Sequence, residues 1–179
     1  MKMADGGFRP AYNVQFATDV ETQIIVGVSL DNQGTDAGHL EPMVDQIKQQ
    51  HGQLPRSILV DGGFVQLDAI ARLEARGVEV IAPVPKPKNP NRDRYQPLPG
   101  DAPGVAAWRT RMGTEEAKQD YILRGATAEC VNALARQRGL QQFPVRGQKK
   151  AYAVALWLAL AHNLRRALSL QPHLVLALP

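Results

Sequence analysis

The chain has 179 residues, which fits one domain or one domain with appendages. Its 44% hydrophobic and 21% charged residues exclude a disordered, collagenous or disulfide-scaffold protein. One cysteine, Cys130, allows no internal disulfide and no cysteine-rich zinc site, as suits a reducing cytoplasm.

The net charge of +4 is unevenly placed along the chain. It is −5 over residues 1–83, +2 over 84–120 and +7 over 121–179. A basic C-terminal part predicts contact with a polyanion, and an incidental charge split is the alternative.

Two strands joined by a turn are the first predicted elements. Residues 11–18 alternate, with Val14 and Phe16 on one face, which indicates a half-buried strand. Residues 23–30 are nearly all apolar and predict a strand covered on both faces. Residues 19–22, DVET, form the turn of a β-hairpin.

A helix follows, capped by Thr35 or Asp36 and running to about Gln50, with Gly52 as its stop. Its apolar residues fall at i, i+3, i+4 and i+7 and form one core-facing stripe: Leu40, Met43, Val44 and Ile47.

A strand–helix–strand unit comes next. Residues 57–60 and 78–82 predict short strands, and residues 65–76 predict a helix that ends at Gly77. The inward face of this helix is expected to carry Leu67, Ile70 and Leu73. A unit of this size is expected to be a parallel, right-handed βαβ motif.

A proline-rich loop then leads into a long helix. Residues 83–105 contain seven prolines and no periodicity, so they predict a loop. Residues 114–138 predict a helix capped by Thr114, weakened at Gly125 and ended by Gly139.

Residues 148–168 predict a last helix around the apolar run 151–161. Eleven residues are fewer than the ~20 that a bilayer span needs, so the run indicates a buried helix. Residues 169–179 form an apolar tail to which we assign no function.

Asp61 is the first candidate for chemistry. It follows a predicted buried strand in the motif LVDGGF, and ligands bind beyond the carboxyl ends of strands in open α/β sheets. Gly62 and Gly63 allow a tight turn and leave room beside the carboxylate. The alternative is a turn or helix-capping aspartate.

Glu129 is the second candidate, as the only acidic residue after Asp120. Helical spacing places it on one face with Asn132 and Arg136, while Arg124 falls on the adjacent apolar stripe and needs an anionic partner. An exposed glutamate in a surface ion pair is the alternative.

Two carboxylates beside basic residues suit a phosphoryl-transfer site that uses Mg²⁺, which prefers hard oxygen ligands. Flexible cations suit contacts with phosphates. The candidate DNA contacts are Lys86, Lys88, Arg92, Arg94, Arg109, Arg111, Arg138, Arg146, Lys149 and Lys150.

These motifs resemble the C-terminal catalytic part of bacterial insertion-sequence transposases of the DDE type. The resemblance covers residues 5–168 and lies in GGFRPAYNVQFATD, a DAG helix, LVDGGF, APVPKPK, WRTRM, YILRGATAECVNALARQRGL, VRG and ALAHNL. Its most specific part is similar to the Y-R-E-K signature, carried here by Tyr121, Arg124, Glu129 and, in place of lysine, Arg136.

The resemblance implies a ribonuclease-H-like α/β fold, with residues 83–113 as a basic loop insertion. It makes Asp61 the second catalytic carboxylate and Glu129 the third, both ligands of Mg²⁺ or Mn²⁺, with Tyr121, Arg124, Asn132 and Arg136 in support. It implies DNA as partner, both transposon ends and target, in the cytoplasm at the nucleoid. Full-length transposase or a second copy is the protein partner, and no membrane is involved.

The first catalytic aspartate of that family has no match here, because its strand lies upstream of residue 11. Asp19 ends the first strand, and a role in the turn is expected for it. We therefore expect a truncated chain, inactive alone, with two inner strand edges unpaired. The alternative function is a DNA-binding remnant that assembles with transposase. A small-molecule domain is disfavoured because no cofactor loop is present.

Overall fold

The computed structural model describes residue 7, residues 11–140 and residues 142–171, except for the side chains of residues 128 and 129. Its strands are β1 Asn13–Thr18, β2 Ile25–Asp31, β3 Ser57–Leu59 and β4 Glu79–Ile81. Its helices are α1 Leu40–His51, α2 Leu67–Ala75, α3 Pro103–Met112, α4 Glu115–Arg124, α5 Cys130–Gln137 and α6 Gln148–Leu170. The chain divides into two units, residues 35–124 and residues 1–34 with 125–179.

The unit of residues 35–124 contains the predicted βαβ motif. β3 and β4 pair in parallel, with Ile58 opposite Val80 and Leu59 opposite Ile81, and α2 connects them. The pairing continues beyond β3, because the Val60 N–H donates to the Ile81 carbonyl at 3.0 Å. The parallel strands and their crossover helix are confirmed.

The core of this unit is built from large apolar side chains. Trp108, Ile70 and Leu73 are fully buried. The four residues of the apolar stripe predicted for α1 are buried as well. Leu67 is 42% exposed, so its predicted inward position is wrong. It opens α2 on the outer face, and Ala69 takes the buried position instead.

Two boundaries in this unit differ from the sequence prediction. Helix α1 begins at Leu40 and not at residue 35 or 36, because Gly38 adopts a φ of +87° that no right-handed helix contains. Helix α3 was not predicted, and it starts within the last three residues of the segment 83–105. Pro103 lies in its first turn, where the missing N–H has no intrahelical partner to lose.

The other unit begins with the predicted hairpin. β1 and β2 are antiparallel, with Val14 opposite Leu30 and Phe16 opposite Val28. Asp19 stabilises the turn, since its Oδ1 accepts bonds from the Thr22 N–H at 2.8 Å and the Thr22 hydroxyl at 2.5 Å. The turn role expected for Asp19 is confirmed.

The long helix predicted over 114–138 is two helices joined by a π-helical turn. Thr114 caps α4 as predicted, because its hydroxyl accepts the Ala117 N–H at 3.2 Å. The π-helical turn spans Gly125–Glu129, so the break begins at the glycine that weakens the pattern. Gly139 ends α5 with a φ of +99°.

Helix α6 packs on the hairpin and bonds to the strand backbone. Asn163 accepts the Ile25 N–H and donates to the Ile25 carbonyl, both at 2.8 Å. The Tyr152 hydroxyl and the Gln148 amide donate to the carbonyls of Val28 and Leu30. These side chains occupy the edge of β2 that β1 does not pair with.

The two sheets have two strands each, so the fold class is α/β with small sheets. Within the described residues β1 pairs with β2 alone, and β3 with β4 alone. Strand β2 contains no exposed residue, since Ile25, Gly27, Val28 and Leu30 are buried and its other three residues are half-buried. Helix α6 shares a core cluster with it, and the predicted cover on both faces stays a prediction. The predicted tail of residues 169–179 lies mainly outside the described residues.

Candidate functional site

Asp61 stands where the first strand of the βαβ motif ends. The buried Val60 precedes it, and Asp61 leaves the strand in an extended conformation, with φ −82° and ψ 179°. Its Oδ1 accepts the Gly63 N–H at 2.8 Å and caps the short 3₁₀ turn Gly62–Phe64. Asp61 therefore has the capping role that was the alternative to a chemical one. The cap also holds its carboxylate at the carboxyl end of β3, where a ligand is expected.

A second carboxylate lies beside Asp61. A Cβ built on Gly63 would lie 3.1 Å from Asp61 Oδ1 and 3.1 Å from Asp36 Oδ2. The two carboxylate oxygens are thus no farther apart than twice that distance. Asp36 and Asp61 both lie close to the α-carbon of Gly63.

This donor set fits a hard divalent cation. Mg²⁺ is commonly bound by one or two carboxylates and keeps several waters. The part of the chain that the structure describes contains no group of three or more histidine, cysteine, aspartate or glutamate side chains suited to a metal. Asp36 and Asp61 are a pair, which is a number of carboxylates that Mg²⁺ commonly takes.

Glu129 ends the π-helical turn before α5. It belongs to the unit of α5 and α6, whereas Asp61 belongs to the other unit, and its side chain is outside the described atoms. The convergence of Asp61 and Glu129 on one ion stays a prediction. Thr127 in the same turn is buried, at 6% exposure.

The residues expected to support Glu129 occupy both units. The Arg124 guanidinium lies 5.5 Å from the centre of the Tyr121 ring, in a cation–π arrangement at the end of α4. Tyr121 packs on the core of its own unit. Asn132 and Arg136 are exposed on α5, where one helical turn separates them.

Most of the cations expected to contact DNA are exposed: Lys86, Lys88, Arg92, Arg138, Arg146, Lys149 and Lys150. Arg94 is half-buried against Tyr95, with its guanidinium 4.9 Å from the ring centre.

Two of those arginines have internal partners instead. Arg109 is 8% exposed, and its Nε donates to Asp101 Oδ2 at 2.8 Å. Arg111 forms an ion pair with Glu74. Because both guanidinium groups neutralise carboxylates within the unit, their placement weighs against direct contact with phosphate.

Sequence reasoning missed Asp36 as a neighbour of Asp61. It assigned Asp36 as a cap of α1, but the helix starts at Leu40 after His39. The available signal was Gly38 of the DAG tripeptide, because its φ of +87° keeps Asp36 out of the helix. Which side chains meet across a turn depends on tertiary structure.

Comparison with protein families gives one match. The family described as "Transposase DDE domain" matches residues 2–164. Neither the curated proteins nor the solved structures give a match to the chain. No helix among the described residues has the length and hydrophobicity that crossing a bilayer requires.

Proposed function

The chain belongs to the transposase DDE domain family, and from that premise we propose that it is part of a catalytic domain that cuts and joins DNA by Mg²⁺-dependent phosphoryl transfer. The position of Asp61 is the observation that supports the proposal. Asp61 follows a parallel strand, its Oδ1 is fixed by the Gly63 N–H, and Asp36 lies beside it. In α/β sheets ligands bind at this edge.

The proposal extends to the type of transposase. We place the chain among insertion-sequence transposases of the Y-R-E-K type, with a ribonuclease-H-like fold. Asp61 and Glu129 are the proposed ligands of the ion. The proposed supporting residues, which orient phosphates and the glutamate, are Tyr121, Arg124, Asn132 and Arg136.

The chemistry is two successive displacements at phosphorus. Bound Mg²⁺ supplies charge that activates the attacking oxygen and stabilises the leaving one. Water forms a new P–O bond at the element's end as the P–O3′ bond breaks, which frees a 3′-OH. That hydroxyl then attacks a phosphodiester of the target in line, and the P–O3′ bond of the target breaks.

In this proposal Asp61 and Glu129 are two of the three carboxylates of the family's catalytic site. We therefore propose that another segment of polypeptide supplies the first aspartate, on a strand that pairs with β1 or β3. The chain alone is then inactive or nearly so, and poorly stable. A cooperative thermal melt of the monomeric chain, unchanged by an added upstream segment from an intact relative, contradicts this part.

The catalytic proposal is tested by strand cleavage of labelled transposon-end DNA with Mg²⁺ or Mn²⁺. The chain is assayed alone and together with the upstream segment of an intact relative. We expect cleavage only in the mixture, and its loss in Asp61→Asn and Glu129→Gln. Cleavage that both variants retain removes these carboxylates from the mechanism.

A second candidate function rests on the exposed cations of the C-terminal part. Arg138, Arg146, Lys149 and Lys150 are exposed, and residues 121–179 carry a net charge of +7. Such a surface binds phosphates without reading sequence. In this proposal the chain binds DNA, or assembles with full-length transposase, without cutting.

The salt dependence of DNA binding tests this candidate. Lys149→Ala with Lys150→Ala is expected to weaken binding and to lower the slope of log K against log salt by about two, because each phosphate contact contributes about one. Lys48→Ala, an exposed lysine of α1 in the acidic part, is the matched control. Equal slopes in all variants exclude these lysines from the interface.

A further inference from the structure

Gly63 lies beside both carboxylates of the site, those of Asp36 and Asp61. Its backbone is outside the left-handed region, because its φ is not among the positive values in the chain. An alanine could therefore adopt the same backbone conformation. The reason for glycine at position 63 must lie in the space around its α-carbon.

That space is bounded by the two carboxylates. A Cβ on residue 63 would lie 3.1 Å from Asp61 Oδ1, 3.1 Å from Asp36 Oδ2 and 3.6 Å from Asp36 Cβ. The two contacts with oxygen are closer than the ~3.5 Å at which non-bonded heavy atoms attract best. A methyl group at this position would crowd both carboxylate oxygens at once, so residue 63 or the carboxylates would have to shift.

We propose that Gly63 is a positioning residue for Asp61, an inference that rests on the proposed function. Its N–H holds Asp61 Oδ1 at 2.8 Å, and its missing side chain leaves room for the Asp36 carboxylate nearby. A side chain at position 63 displaces the Asp61 carboxylate from this hydrogen bond. Divalent cation then binds more weakly, although the fold is retained.

The neighbouring glycine gives a matched control. A Cβ on Gly62 would meet only Pro83 Cγ, at an ordinary van der Waals distance of 3.6 Å. Gly62 also has no positive φ. Gly62→Ala and Gly63→Ala thus make the same chemical change one residue apart, and only the second is confined by carboxylates.

The first test needs no metal. In proton–nitrogen NMR spectra of the whole chain, the Gly63 amide proton should be shifted downfield by the Asp61 carboxylate, and Asp61→Ala should remove the shift. Gly62→Ala should keep it and Gly63→Ala should lose it. Adding Asp36→Ala to Gly63→Ala should restore it, because the methyl group can then move away from Asp61.

Retention of the downfield shift in Gly63→Ala overturns the inference. A double variant that does not restore it also overturns the inference, because confinement between two carboxylates would not be the cause. The rest of each spectrum reports whether the variant is folded.

The second test adds Mn²⁺ and follows the paramagnetic broadening of the amide signals of residues 61–63. We expect the signals of Gly62→Ala to broaden at the same Mn²⁺ concentration as those of the wild type. Gly63→Ala should need about fivefold more Mn²⁺ for the same broadening, an effect of the size found between contacting residues. Asp61→Ala should abolish the effect.

The outcomes separate the two proposals. Broadening that Asp61→Ala leaves unchanged contradicts the metal role of Asp61, while the amide shift still decides the role of Gly63. Broadening that is lost in Asp61→Ala and normal in Gly63→Ala overturns only the role of Gly63.

Discussion

The two tryptophans of the chain lie in opposite environments. Trp108 on α3 is fully buried in the unit of residues 35–124, whereas Trp157 on α6, in the other unit, is 70% exposed. The first unit surrounds its tryptophan with other large side chains. In the second unit α6 contributes alanines to the core, namely Ala151, Ala155 and Ala159, which share the cluster with Ile25, Val28 and Leu30 of β2.

The difference shows that an apolar run does not determine which of its residues are buried. Helix α6 turns its alanines to the hairpin and its large residues to the outside: Leu156, Trp157, Leu160 and Leu164 are all more than two-fifths exposed. The prediction of a buried helix over the run 151–161 is therefore right for one face only. Large buried side chains stabilise the unit of residues 35–124. In the other unit, the alanines let α6 lie close to the hairpin, and side chains of α6 form hydrogen bonds with β2.

The largest expected effect comes from exchanging the tryptophans for alanine. Trp108→Ala should lower the free energy of unfolding by about 3–5 kcal/mol, through lost transfer energy and a cavity. Trp157→Ala should change it by no more than about 0.5 kcal/mol. Urea unfolding of the chain mixed with the upstream segment of an intact relative, followed by circular dichroism, measures both, and equal losses contradict the contrast between the units.

A smaller effect is expected from the bonds that hold α6 to the hairpin. Asn163→Ala removes the side chain that bonds to both the N–H and the carbonyl of Ile25. It should lower the free energy of unfolding by about 1–3 kcal/mol. Asn132→Ala on α5 makes the same change at an exposed asparagine and should be nearly neutral. The unfolding midpoints of the two variants test whether bonds to β2, and not volume, hold this unit.

The close contact of α3 with α2 gives the third prediction. A Cβ on Gly104 would lie 2.7 Å from Glu74 Cβ and 3.2 Å from Ala71 Cα. Gly104→Ala should therefore destabilise by about 1–3 kcal/mol, as other overpacked sites do. Gly62→Ala, with only one ordinary contact, is the control in the same unfolding experiment.

The smallest effect concerns the ion pair between α1 and α2. The hydrogen bond from the Arg72 guanidinium lowers the pKa of the Glu41 carboxyl below its usual 4.5. A lowered pKa in the folded state gives stability that is present above 4.5 and lost as the pH falls through the folded value. Glu41→Gln should thus be slightly less stable than the wild type at pH 7, and the difference should disappear in acid.

Local patterns predicted most of the elements. The hairpin, the parallel strands and the start of α4 at Thr114 depend on neighbouring residues, which the sequence displays. The site was predicted in part: Asp61 is at the strand end, but Asp36 was assigned to a helix cap. Arg109 and Arg111 were counted among the DNA contacts, and both have carboxylate partners inside the unit.

By itself the sequence determined the family, most of the elements and the position of Asp61 beyond a parallel strand, because motifs and periodicity are local properties. Only the tertiary structure decided which face of α6 is buried, which arginines are neutralised inside the unit, and that Asp36 and Asp61 both lie close to Gly63. Those outcomes depend on contacts between residues distant in sequence, where volume and charge are matched only after the chain has folded.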